Sequence, residues 1–94
     1  MDRRKHNGRM LSREEVKSAI EQAFRGEFPN DTVDVSDGYE GNIHVVVVSR
    51  KFDEMDEQEK QDWLWDIIDK KADLTPAERA LISLVMPVSP AEIK

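Results

Sequence analysis

The chain predicts an α+β domain: a three-stranded sheet with helices packed on one face, in the order helix-strand-strand-helix-strand and closed by a short C-terminal turn. Three observations point there. Four consecutive valines at 45–48 lie between turn residues, and β-branched side chains suit a pleated surface better than a helix. Two other stretches carry apolar residues at helical spacing behind capping pairs. The length, 94 residues with 38% hydrophobic side chains, supports one small core and little beyond it.

Residues 1–11 gather Arg3, Arg4, Lys5, His6 and Arg9 with only Asp2 as counter-charge, and read as a solvated, disordered basic arm ahead of a single domain at 12–94. Ser12 and Glu15 have the spacing of a capping box, so a helix over 13–25 follows. Val16, Ala19, Ile20, Ala23 and Phe24 fall on one stripe of it, and Gly26 offers the stop. Pro29-Asn30-Asp31 is a turn, and Thr32-Val33-Asp34-Val35 alternates like a half-buried strand. The polar loop 36–42 then leads into a strand over 43–48, whose continuous apolarity suits a central position paired antiparallel with 32–35. Its glycines, Gly38 and Gly41, are expected to adopt positive φ.

Asp56 and Glu59 open a second helix over 56–71, with Trp63, Leu64, Ile67 and Ile68 on its inner face and Trp65 at the edge of that stripe or exposed. Segment 53–69 holds eight acids (Asp53, Glu54, Asp56, Glu57, Glu59, Asp62, Asp66, Asp69) against the single base Lys60, all assigned to the outer side. Thr75-Pro76-Ala77-Glu78 starts a further turn, with a cap and a proline at the first helical position. From Leu81 to Met86 the run is almost wholly apolar, and periodicity alone does not separate a buried strand from a buried helix. A turn at 76–80 and a strand at 82–86 are the favoured reading, with Pro87 closing the run and Ser89-Pro90-Ala91-Glu92 starting a last short turn. The expected core comprises Phe24, Val45, Val47, Trp63, Ile67 and Leu84.

Composition excludes several classes of function. No window approaches the roughly 18 apolar residues of a membrane span. No apolar stretch follows the basic first residues, so no secretory leader is expected and the location is expected to be cytoplasmic. The absence of cysteine removes disulfides, zinc-thiolate sites and thiol nucleophiles. His44 is one imidazole on a strand without a partner, Ser49 has no nearby histidine, and the acids of 53–69 lack the spacing of a calcium loop. The expectation is a protein that is not an enzyme and has neither a metal site nor a cofactor.

In this order the elements resemble the BolA-like family, whose fold is similar to a class II KH domain. The resemblance runs over residues 12–93. Its carriers are the capped first helix, His44-Val45-Val46-Val47-Val48-Ser49 followed by Phe52, and Ile82-Ser83-Leu84-Val85-Met86 leading into Ser89-Pro90-Ala91-Glu92-Ile93. The family's histidines and cysteines help to hold a two-iron two-sulfur cluster shared with a monothiol glutaredoxin. Here the usual Arg-His-Arg-like trio is Lys60-Gln61-Asp62, Arg79 or Leu81 stands where a second histidine is common, and the hairpin loop is Gly38-Tyr39-Glu40-Gly41-Asn42. Cluster ligation, which needs thiolate or imidazole, therefore does not carry over residue by residue.

Two functions remain. One is a protein-interaction or regulatory module, monomeric or weakly dimeric, whose partner the resemblance makes glutaredoxin-like. The other is a KH-like nucleic-acid module, favoured by the basic arm and by Gly38-Tyr39-Glu40-Gly41 as a GXXG string, but opposed by a net charge of −6. The candidate interaction surface comprises Gly38, Tyr39, Gly41, His44, Glu57, Gln61, Asp62, Trp65 and Asp66. The acids of the second helix would favour a basic protein partner.

Overall fold

Of the four helix or turn starts read from the sequence, the first three are each built as a reciprocal pair, and the last is a single 3-10 turn at Pro90–Glu92. In the computed structural model, which describes residues 11–92, the Glu15 N–H donates to Ser12 Oγ at 3.2 Å and the Ser12 N–H to Glu15 Oε1 at 2.8 Å. These bonds begin α1 (Arg13–Glu27). Asp56 and Glu59 do the same for α2 (Glu57–Lys71), as do Thr75 and Glu78 for α3 (Pro76–Arg79). Each cap satisfies backbone donors that the helix itself leaves open, contributing about 0.5–2 kcal/mol. α1 runs through Gly26 rather than stopping there. It ends at Phe28, whose N–H donates to Phe24 O at 2.7 Å and whose ring is 0% exposed. Pro29 follows directly and disfavours helical backbone at Phe28, so the chain leaves the helix there and not at Gly26.

The sheet is ordered β1 (Thr32–Asp37), β2 (Ile43–Val48), β3 (Ile82–Val88). β1 and β2 form an antiparallel hairpin, with Val33 opposite Val47 and Val35 opposite Val45. β2 and β3 run parallel, which obliges the chain to cross back through α2 and α3 between them. The valine run is thus the central strand, as its continuous apolarity predicts. Pro87 does not close the third strand but lies within it, opposite Val47. β3 is an edge strand, where a missing N–H can be tolerated.

α1 packs on β1 and on α2, and α2 packs on β3, so the helices share one face of the sheet. Val16, Ile20 and Phe24 from α1 meet Leu64, Ile67 and Ile68 from α2 over Val33, Ile43, Val45, Val47 and Val85. At one end of this core Phe28 lies 6.4 Å from Phe24, 5.6 Å from Phe52 and 5.2 Å from Trp63, ring centre to ring centre. Lys51 Nζ stands 5.0 Å above the Phe28 ring. Trp63 is half-buried rather than fully enclosed.

Leu84, expected in the core, is 37% exposed. The register between β2 and β3 slips where Ile43 pairs with Ile82 but His44 pairs with Leu84, leaving Ser83 as an extra residue. A one-residue slip exchanges the two faces of a strand, so Val85 and Pro87 turn inward while Leu84 and Met86 turn out. Lys60, assigned to the outer side of α2, is 3% exposed; its stem is buried and its ammonium bonds Glu57 Oε2 at 3.0 Å. Most of the basic arm lies outside the described residues. Leu11, read as its last residue, packs against the core and donates its N–H to Glu78 Oε2 at 2.7 Å. Among the described residues no helix is long and apolar enough to cross a membrane.

Candidate functional site

The nine residues singled out in the sequence separate into two groups. Gly38, Tyr39, Gly41 and His44 lie together at the hairpin end of the sheet. The Gly38 N–H donates to Asn42 O at 2.6 Å and the Asn42 N–H to Tyr39 O at 3.1 Å, closing a tight loop. Positive φ occurs at Gly41 (82°) but not at Gly38 (−98°); Glu40 (54°) takes the other left-handed position. Gly38 is required for another reason. The His44 imidazole lies against it so closely that a Cβ would collide with Nε2, Cδ2 and Cε1 of the ring. Tyr39 projects outward, 79% exposed.

The second group follows α2. Gln61 reaches the sheet, its side-chain amide donating to Val85 O at 2.8 Å. Together with Pro87, which lacks an N–H, this bond blunts β3 as a template for strand addition. Trp65 is half-buried, and the Arg79 guanidinium lies over its ring at 4.3 Å while also pairing with Asp69 at 2.6 Å. Asp66 pairs with Lys70 at 3.2 Å, Glu57 with Lys60, and Asp62 accepts from Gln58 at 2.8 Å. The acidic segment is therefore laced with local partners, and Glu57, Asp62 and Asp66 are exposed along its length. None of this group comes together with the hairpin loop into a single cleft.

A further surface lies on the side of the sheet that none of the described helices covers. Side chains directly opposite one another share a face, so the register gives three rows across the strands: Ser36–His44–Leu84, Asp34–Val46–Met86 and Thr32–Val48–Val88. The β2 and β3 columns are apolar apart from His44, and the β1 column is polar. Leu84 and Met86 are 37% and 42% exposed, and His44, Val46, Val48 and Val88 are half-buried. From Gly26 to Ser49 and from Ala80 to Ile93 the chain has no lysine or arginine, while Asp31, Asp34, Asp37 and Glu40 fall in the first of these stretches. The sequence of 43–48 is apolar at every position but His44, whereas the burial of its residues alternates. Which alternate set faced outward depended on the pairing with β3.

A shared iron–sulfur cluster, the group implied by the family resemblance, does not suit these residues. Gln61 is committed to a backbone carbonyl, His44 is the one imidazole among the described residues, and no group of three or more histidine, cysteine, aspartate or glutamate side chains is placed to hold a metal there. The lysine, glutamine and aspartate at 60–62 do not supply the thiolate or imidazole donors that such a cluster takes. A groove of about 360 Å³ between α1 and α2 is lined by Ala19, Gln22, Ala23, Gly26 and Ala72 and rimmed by the Glu27–Lys71 pair at 3.4 Å. No protein-family model, no curated protein and no solved structure matches the chain.

Proposed function

We propose that the chain is a divergent BolA-like protein-interaction module, acting in the cytoplasm without an enzymatic activity or a metal site of its own. The observation that carries this reading is the apolar strip of Val46, Val48, Leu84, Met86 and Val88 on the uncovered sheet face. Exposed apolar surface concentrated on one face is what protein partners bury. Phosphate recognition needs clustered lysine and arginine, and both sheet-forming stretches contain neither. The element order agrees with the layout that the family resemblance implies. A glutaredoxin-like partner is compatible with this reading, but contact would be made without ligands contributed by this chain.

The test is a photo-reactive side chain placed at Met86 and, for comparison, at Ser18 on the outer side of α1. Protein adducts should form from position 86 and not from position 18. Equal labelling from both, or none from 86, would refute the reading. So would micromolar binding of labelled single-stranded RNA or DNA at about 50 mM salt, where electrostatic binding is strong.

A further inference from the structure

Two independent features of the uncovered sheet face, its dimensions and its charge, narrow what can occupy it. The apolar part spans two strands about 4.8 Å apart and five residues at about 3.3 Å each. With side chains this is a strip about 10 Å wide and 17 Å long. A second copy of the chain is disfavoured there, because pairing would bring two acidic β1 rims together at a net charge of −6 each. An α-helix is about 10–12 Å across and rises 1.5 Å per residue, so three turns cover the strip.

The rim supplies the second constraint. Asp34 stands exposed in the middle of the β1 column, directly beside Val46. Asp31 precedes the strand and Glu40 lies in the loop after it. The stretches that form this side of the sheet, 26–49 and 80–93, contain no lysine or arginine. An added β-strand is disfavoured at the opposite edge, where Pro87 lacks a donor and Gln61 already occupies Val85 O. Resting on the interaction reading above, we propose that the strip receives one amphipathic helix of a protein partner. Leucine-like residues of that helix lie on Val46, Val48, Leu84, Met86 and Val88, and its lysine or arginine flank faces Asp34. The occupant is defined by this chemistry: three turns, one apolar stripe, one basic flank.

The probe is a synthetic 14-residue helical peptide with leucines at i, i+3, i+4 and i+7 and lysines beside them, with a twin carrying glutamates in place of the lysines. Binding is followed by amide shifts of the full-length protein. The basic peptide should bind saturably and move the amides of His44–Val48 and Leu84–Val88 while leaving α2 unmoved. Met86→Glu should weaken it by about tenfold or more, as expected for a central apolar contact. Asp34→Lys should weaken it by about threefold at low salt, the scale of an exposed ion pair, and should strengthen the glutamate twin. Both substitutions are at exposed positions, so the fold is retained. Equal or tighter binding of the glutamate twin, shifts confined to α2, or tighter binding to phosphatidylserine vesicles or single-stranded RNA would overturn the proposal. Adducts at position 86 with no peptide binding would overturn the helical occupant and leave the interaction reading standing. Loss of both would overturn the two together.

Discussion

Phe28 ends α1 and sits within the aromatic cluster at one end of the core, and its removal gives a prediction that can be worked from the geometry. The residue ends α1, is fully buried, and meets Phe24, Phe52 and Trp63 at 5.2–6.4 Å between ring centres. A buried phenylalanine replaced by alanine costs about 3–5 kcal/mol through lost transfer and the residual cavity. Tilted aromatic pairs add about 0.5–1.5 kcal/mol each beyond their buried area, and some of this is already counted in the substitution figure. Phe28→Ala should therefore fall at the upper end, about 5 kcal/mol. A domain this size has about 5–15 kcal/mol in total and loses about 4–8 °C of melting midpoint per kcal/mol. The expected midpoint shift is about 20–40 °C. Urea unfolding followed by tryptophan fluorescence measures it, because Trp63 reports on the same cluster. Phe28→Leu should lose less than about 2 kcal/mol, since it restores most of the volume. A double-substitution cycle with Trp63→Leu should return a coupling of about 0.5–1.5 kcal/mol. If Phe28→Ala lost under about 2 kcal/mol, the aromatic cluster would not be holding α1 to the loop after β2, and the packing argument would fail.

Burial on α2 and the slip in β3 predict opposite outcomes for two aliphatic residues, and equilibrium unfolding distinguishes them: Ile67→Ala, at 4% exposed, should cost about 2–5 kcal/mol, whereas Leu84→Ala, at 37% exposed, should cost under about 1 kcal/mol. Equal losses would mean that the strand faces are assigned the wrong way round. Acid sensitivity should trace in part to Asp37, whose carboxyl is held below its ordinary value of 3.8 by the Lys17 hydrogen bond and the neighbouring Arg13. A depressed folded pKa gives stability that is present above pH 3.8 and is lost as pH falls through the lower folded value. The partner, Lys17, is raised above 10.5 by the same bond, so its contribution is present below that pH and is lost as pH rises through the higher folded value. Denaturation midpoints of Asp37→Asn across acid pH should show a shallower decline than the parent chain, and an unchanged slope would refute the pairing.

The sequence by itself determined the elements whose causes are local. Ser12–Glu15, Asp56–Glu59 and Thr75–Glu78 start their helices at the expected residues because a cap needs only three consecutive positions and its own backbone. The valine run is a central strand because β-branching and two apolar faces are properties of the run itself. Tertiary structure decided where a residue's role depends on a distant partner. α1 passed Gly26 and ran to Glu27, after which Phe28 is packed against Phe52 and Trp63 across the core. Lys60 was drawn inward although charge pattern assigned it to solvent. Leu84 was turned outward by one extra residue in the pairing with β2. The same slip explains why the candidate site was only half legible. The hairpin loop and His44 could be read from glycines and alternation, but the strip beside them exists only once three strands, two of them parallel and 39 or more residues apart in sequence, bring their outward side chains into one register. A strand carries no mark of which face its partner will leave open, because both faces of an apolar run have the same composition until pairing distinguishes them.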